Sequence, residues 1–164
     1  MADVIIIMGS KADMKHAEEI AAGLRGFAVS YEFRIASAHK SPSYLLDLLA
    51  AYEAEDDDAG TSAGPRRVYI TVAGRSNALS GMVDAAVTAP VIACPPYSDR
   101  FAGADVYSSL RMPSGVAPAL VLEPAGAALL AAKILGRRAA VRSAQETQAA
   151  RLVADDQALR GEDQ

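Results

Sequence analysis

Val4-Ile5-Ile6-Ile7-Met8 is an unbroken apolar, largely β-branched run closed by Gly9. A strand with one wet face alternates apolar and polar side chains, whereas one covered on both faces need not. The run therefore predicts an inner strand with helices on either side of its sheet. Val68-Tyr69-Ile70-Thr71-Val72-Ala73, Val91-Ile92-Ala93 and Ala119-Leu120-Val121-Leu122 repeat the pattern, and residues 28–35 supply another strand. Between these runs the apolar spacing becomes helical. Met14, Ala17, Ile20, Ala21 and Leu24 mark a helix that stops near Gly26. Tyr44, Leu45, Leu48, Leu49 and Tyr52 mark the next, with Ser41 as its cap and Pro42 at its first position. A short helix follows Gly74, and an Ala-rich one runs from Ala125 to Leu135. Strands alternating with helices predict an α/β protein: a three-layer α/β/α sandwich around a parallel sheet with right-handed crossovers.

The 164 residues suit one domain with a full core. The expected organisation is a single domain over 1–164, with a helical extension over 139–164. That extension carries a weak apolar stripe (Val141, Ala144, Leu152, Leu159), which fits a helix packed on a neighbouring subunit or a frayed charged tail. Residues 53–66, acidic and then rich in Gly, Ser and Pro, read as a solvated loop and not as a metal site. A net charge of −4 with scattered basic residues argues against a nucleic-acid partner. No apolar run nears the ~20 residues that cross a bilayer. The amino terminus reads as a first strand and not as a signal peptide. A lone cysteine, Cys94, excludes an internal disulfide and fits a reducing cytoplasm. It reads as a small buried or loop cysteine, since no histidine is near it in sequence. His16, among Lys15, Glu18 and Glu19, reads as a solvated helix residue.

Three strand-to-helix loops carry the chemistry. In an open parallel sheet such loops gather at the carboxyl edge, where ligands bind. Gly9-Ser10-Lys11-Ala12-Asp13 offers close backbone approach, a hydroxyl and a helix N-terminus to an anion, or forms a plain capped turn. Asp13 can accept from sugar hydroxyls or cap the helix. The loop is neither a P-loop nor a dinucleotide fingerprint, so ATP and NAD are not indicated. Ser37-Ala38-His39-Lys40 holds one of only two histidines, a proton carrier near neutrality or an ordinary surface residue. Gly74-Arg75-Ser76-Asn77 adds a cation and hydrogen-bonding groups. Together the loops describe a pocket for a phosphorylated, sugar-like molecule with one proton-transfer group. Tyr97 to Gly103 forms a long loop suited to closing over a ligand or to contacting another subunit. No spaced metal-ligand set and no nucleophilic triad is visible.

These segments resemble signatures of the purine-biosynthetic PurE family. They are Met8-Gly9-Ser10-Lys11-Ala12-Asp13, Ser37-Ala38-His39-Lys40-Ser41-Pro42, Ala73-Gly74-Arg75-Ser76-Asn77, Pro90-Val91-Ile92-Ala93-Cys94-Pro95-Pro96 and Asp105 to Gly115. They occur in the family's order between about Val4 and Gly136. Lys40, Gly74-Arg75-Ser76-Asn77, Cys94-Pro95-Pro96 and Ser108-Ser109-Leu110-Arg111 look like its second class, the phosphoribosylaminoimidazole carboxylases. The first class, a carboxyaminoimidazole ribonucleotide mutase, carries Ser-Ala-His-Arg and Gly-Gly-Ala-Ala-His-Leu instead. Ala12 departs from the family's usual serine and removes one hydroxyl from the first loop.

The resemblance implies a flavodoxin-like fold and reversible carboxylation of 5-aminoimidazole ribonucleotide by carbon dioxide, without ATP, biotin or metal. It implies His39 as the proton carrier. Lys40, Ser76 and Asn77 become candidates to bind carbon dioxide or the carboxylate. Gly9, Ser10, Asp13, Ser37, Ala38, Gly74 and Arg75 are then candidates to hold the nucleotide. It further implies a homo-octamer in which the carboxyl-terminal helix packs on neighbouring subunits. The rival readings are the mutase of the same family and a non-catalytic flavodoxin-like nucleotide-binding module.

Overall fold

The unbroken runs become the inner strands. In the computed structural model, which describes residues 2–58, 65–97 and 100–162, β1 (Val4–Met8) and β3 (Val68–Val72) are buried along their whole length. β4 (Val91–Ala93) is buried as well. β2 (Tyr31–Ile35) and the two-residue β5 (Ala119–Leu120) form the partly exposed edges. All pairings are parallel, in the order β2-β1-β3-β4-β5. The chain therefore steps from β1 outward to β2, returns across β1 to β3, and continues the other way. The loops after β1 and β3 part at that reversal, which opens a crevice at the carboxyl edge.

Successive side chains of β1 face opposite layers. Val4, Ile6 and Met8 join α1 (Met14–Gly26) and α5 (Pro124–Ile134) in one core. Ile5 and Ile7 join Leu45, Leu49 and Tyr52 of α2 (Pro42–Asp58), with Leu79 and Val83 of α3 (Ala78–Asp84), in the other. The result is the expected three-layer α/β/α sandwich of flavodoxin-like topology. Gly23 sets the spacing of α1 on α5: a Cβ there would lie 2.6 Å from the Ala128 Cβ, so the helices meet closer than two side chains allow.

Two boundaries differ from the sequence expectation. The second strand starts at Tyr31 and not at residue 28, because Ala28 and Val29 close α1. Val29 N donates to Leu24 O and Ala28 N to Arg25 O, which puts Ala28 in the left-handed region at φ 54°. Gly136 (φ 69°) closes α5 with the same bonding pattern. Second, α2 continues through Glu53–Asp58, where a solvated loop was expected. Acidic residues oppose the helix dipole at that end, but buried Arg67 answers them: its Nη2 lies 3.1 Å from Glu55 and 3.3 Å from Asp56. The rest of that expected loop, residues 59–64, lies outside the described residues. The expected carboxyl-terminal helix forms over residues 138–162 as α6 (Arg138–Glu162), and its side chains from 142 to 160 are exposed. No helix among the described residues is long and apolar enough to cross a membrane.

Candidate active site

Three loops leave the sheet at one height, because Met8 pairs with Ile35 on one side and with Val72 on the other. Gly9 N still donates to Val72 O (2.9 Å), and Ala36 N to Met8 O (3.0 Å), before the loops diverge. They enclose a cavity of about 610 Å³, within the range of small-molecule sites. Its walls are Gly9, Ser10, Ala12 and Asp13; then Ser37, Ala38, His39 and Lys40; then Ala73, Gly74, Arg75, Ser76 and Leu79.

Each wall is shaped by its own hydrogen bonds. In the first loop Asp13 Oδ2 accepts from Ser10 N (3.1 Å) and from the Ser10 hydroxyl (3.2 Å). The Ser10 hydroxyl proton is thus turned to Asp13 and not toward an anion in the cavity. The second loop is a tight turn in which Ser37 N donates to Ser41 Oγ (3.0 Å) and Lys40 N to Ser37 Oγ (3.2 Å). Ser41 therefore spends its side chain on the turn while its carbonyl receives Leu45 N, the first bond of α2. That turn leaves His39 and Lys40 exposed toward the cavity. The third loop crosses close behind the first. A Cβ on Gly74 would meet Asp13 Oδ1 in ordinary contact at 3.5 Å but would stand 3.3 Å from Pro96 Cγ, so any other residue there requires the proline to give by a few tenths of an ångström.

The structure brings together every predicted site residue except Asn77. That side chain is 5 % exposed and turned away from the large cavity. It caps α3, where Oδ1 accepts from Ser80 N (3.2 Å), and Nδ2 donates to Ser109 Oγ (2.7 Å). It lines a second cavity of about 200 Å³, which shares Ala73 and Gly74 with the first and adds Pro95, Pro96, Tyr97, Asp105 and Leu122. Periodicity gave no sign of this neighbour, although all its lining residues but Tyr97, Leu122 and Glu123 fall in segments quoted above for their family likeness. Of the expected covering loop, Ser98 and Asp99 lie outside the described residues.

His16 is not a solvated helix residue. It is half-buried, with Nε2 3.4 Å from Cys94 Sγ, although the two are 78 residues apart. Burial lowers its pKa more than nearby Glu19, the contact with Cys94, and Asp13 raise it. Cys94 is fully buried, and burial, with Glu123 adding to it, pushes the thiol up to about 12. A thiol held protonated at neutral pH is no nucleophile. Among the described residues no group of three or more His, Cys, Asp or Glu is arranged to hold a metal ion.

The AIR carboxylase family model matches residues 3–154. The chain is 52% identical over 162 residues to phosphoribosylaminoimidazole carboxylase of Treponema denticola, covering 96% of this chain and 97% of that one. It is 50% identical over 161 residues to phosphoribosylaminoimidazole carboxylase of Archaeoglobus fulgidus, covering 95% and 84%. The crystal structure of Treponema denticola PurE superposes with a TM-score of 0.87 over 95% of this chain and 97% of that one. With half its residues shared along nearly its whole length, this chain belongs to the AIR carboxylase family.

Proposed function

We propose that this chain is a carboxy-lyase of the second PurE class, which adds carbon dioxide to 5-aminoimidazole ribonucleotide without ATP, biotin or metal. The observation that carries this reading is the single cavity in which His39 and Lys40 face Arg75 and Ser76 across the loop holding Asp13. Two relatives at half identity named as the carboxylase support the choice of class.

The substrate ring is an enamine, nucleophilic at the carbon beside the amino-bearing one. Gly9, Ser10, Asp13, Ser37, Ala38, Gly74 and Arg75 hold the nucleotide, with Lys40 and Arg75 supplying positive charge for its anionic groups. Binding ring and carbon dioxide side by side turns a chance encounter into an oriented one. The ring carbon attacks carbon dioxide, and the new carboxylate carries the negative charge, which Lys40 and the Ser76 hydroxyl stabilise. The reacting carbon still bears its proton. His39 takes it, the C–H electron pair returns to the ring, and aromaticity is restored. Protonation of that carbon by His39 opens the reverse decarboxylation.

Supplying aminoimidazole ribonucleotide with bicarbonate-equilibrated carbon dioxide, and separately its N-carboxy derivative, tests the class. Turnover of the first substrate pair is expected, and turnover of the N-carboxy derivative alone would overturn it in favour of the mutase. His39→Asn is expected to bind nucleotide as the parent does while turnover falls at least ~10²-fold. Retained turnover would remove His39 from the mechanism.

The reading extends to a cytoplasmic homo-octamer built from one domain over 1–164 with its 139–164 extension. The bare stripe of Leu152, Val153 and Leu159 on α6 (63%, 55% and 67% exposed) supports subunit packing. Light scattering is expected to give eight copies, and a monomer would contradict it.

A further inference from the structure

Asn77 makes more bonds than a helix cap needs. Capping uses Oδ1 alone. Its backbone N also donates to Ser108 Oγ (2.8 Å), its Nδ2 donates to Ser109 Oγ (2.7 Å), and Ser108 Oγ in turn donates to Asp105 O (2.7 Å). Ser108 and Ser109 belong to α4 (Tyr107–Leu110), more than thirty residues away, and Ser109 is 5 % exposed. Three residues before Asn77, the third loop is confined again, where Gly74 packs against Pro96 and Asp13. Only Arg75 and Ser76 lie between these fixed points, and both line the large cavity.

We propose that Asn77 is a positioning residue: with Ser108 and Ser109 it clamps the third loop, holding Arg75 and Ser76 in the cavity wall. The proposal rests on the carboxylase reading for its kinetic consequence, but not for the clamp itself. An arch of two residues held at both ends has few conformations to lose when substrate binds. Released at Asn77, it keeps its residues and loses their placement. Small misplacements of this kind cost rate more than ground-state binding, because only the transition state demands the full alignment.

Asn77→Ser retains an N-cap oxygen but cannot span to Ser109, and Ser109→Ala removes the same link from its other end. In the full-length protein each substitution is expected to lower kcat at least about tenfold and to change KM for the nucleotide less than about threefold. The double variant is expected to be no slower than the slower single, since one link is cut twice. Without substrate, amide exchange at Arg75 and Ser76 is expected to accelerate in both variants while the melting temperature stays near the parent's. A raised KM at unchanged kcat would make Asn77 a direct nucleotide contact and overturn the proposal, as would additive losses or unaltered exchange. If the parent protein itself fails to carboxylate, the carboxylase reading falls, and the exchange measurement still decides the clamp.

Discussion

The two ends of the sheet handle charge in opposite ways. At the amino edge, charges are paired internally. Arg67, 1% exposed, meets Glu55 and Asp56, donates to Tyr52 O (3.2 Å) and lies 4.6 Å from the centre of the Tyr52 ring. Nearby, Asp3 accepts from Ser30 and pairs with Arg137 at 3.0 Å. At the carboxyl edge, Lys40 and Arg75 form no ion pair among the described residues and stand exposed at the cavity. Charges at one end hold elements together, whereas Lys40 and Arg75 at the other stand open at the cavity. The two ends should therefore fail differently.

His39→Asn, expected to lower turnover at least ~10²-fold, should leave unfolding unchanged, because His39 is exposed and supports no packing. A large stability loss would break the contrast. The reverse holds for Arg67→Met, which keeps an apolar stem but strands Asp56 and the Tyr52 carbonyl. It is expected to cost about 3 kcal/mol in urea denaturation with KM for the nucleotide unchanged. An undiminished midpoint would show that the buried cation is dispensable.

The smallest effect is a pH dependence. Burial holds the His16 pKa below its ordinary 6.5, so the unfolded chain takes up a proton before the folded protein does. Stability is then full above about pH 6.5 and falls as the pH drops through the lower folded value. Asp3 behaves otherwise. Burial raises its pKa, yet the Ser30 hydrogen bonds and Arg137 outweigh burial and hold it low. Its contribution is present above the ordinary carboxylate pKa and is lost only as the pH falls through the depressed one. Mild acid should thus loosen the carboxyl edge first. His16→Asn should flatten the change in urea midpoint between pH 7.5 and 5.5, and an unaltered slope would assign that sensitivity elsewhere.

Most of the fold was legible because its signals are local. The Val4–Met8 and Val91–Ala93 runs, the stripe from Met14 to Leu24 and the glycine after α5 each act through near neighbours. What escaped depends on distant partners. The reach of α2 to Asp58 relies on Arg67, nine residues beyond that helix. The pairing of His16 with Cys94 has no sequence spacing to betray it. Ala28 looks like a strand residue and serves as a helix terminus, because alanine lacks the glycine that advertises a left-handed turn. The site loops could be read, since parallel strands deliver their loops to a common edge. The direction of the Asn77 side chain could not, because its amide is held by Ser109 on the distant α4.

The register of β1 has a consequence for how such a site can change. Met8 faces Ile35 and Val72 across its two neighbours. Ser10 stands two residues beyond Met8, His39 four beyond Ile35, and Gly74 two beyond Val72. All three loops are therefore measured from one origin inside the core. An exchanged side chain beyond that origin acts first on its own loop, whereas a shift of β1 by one residue would displace the three walls against each other at once.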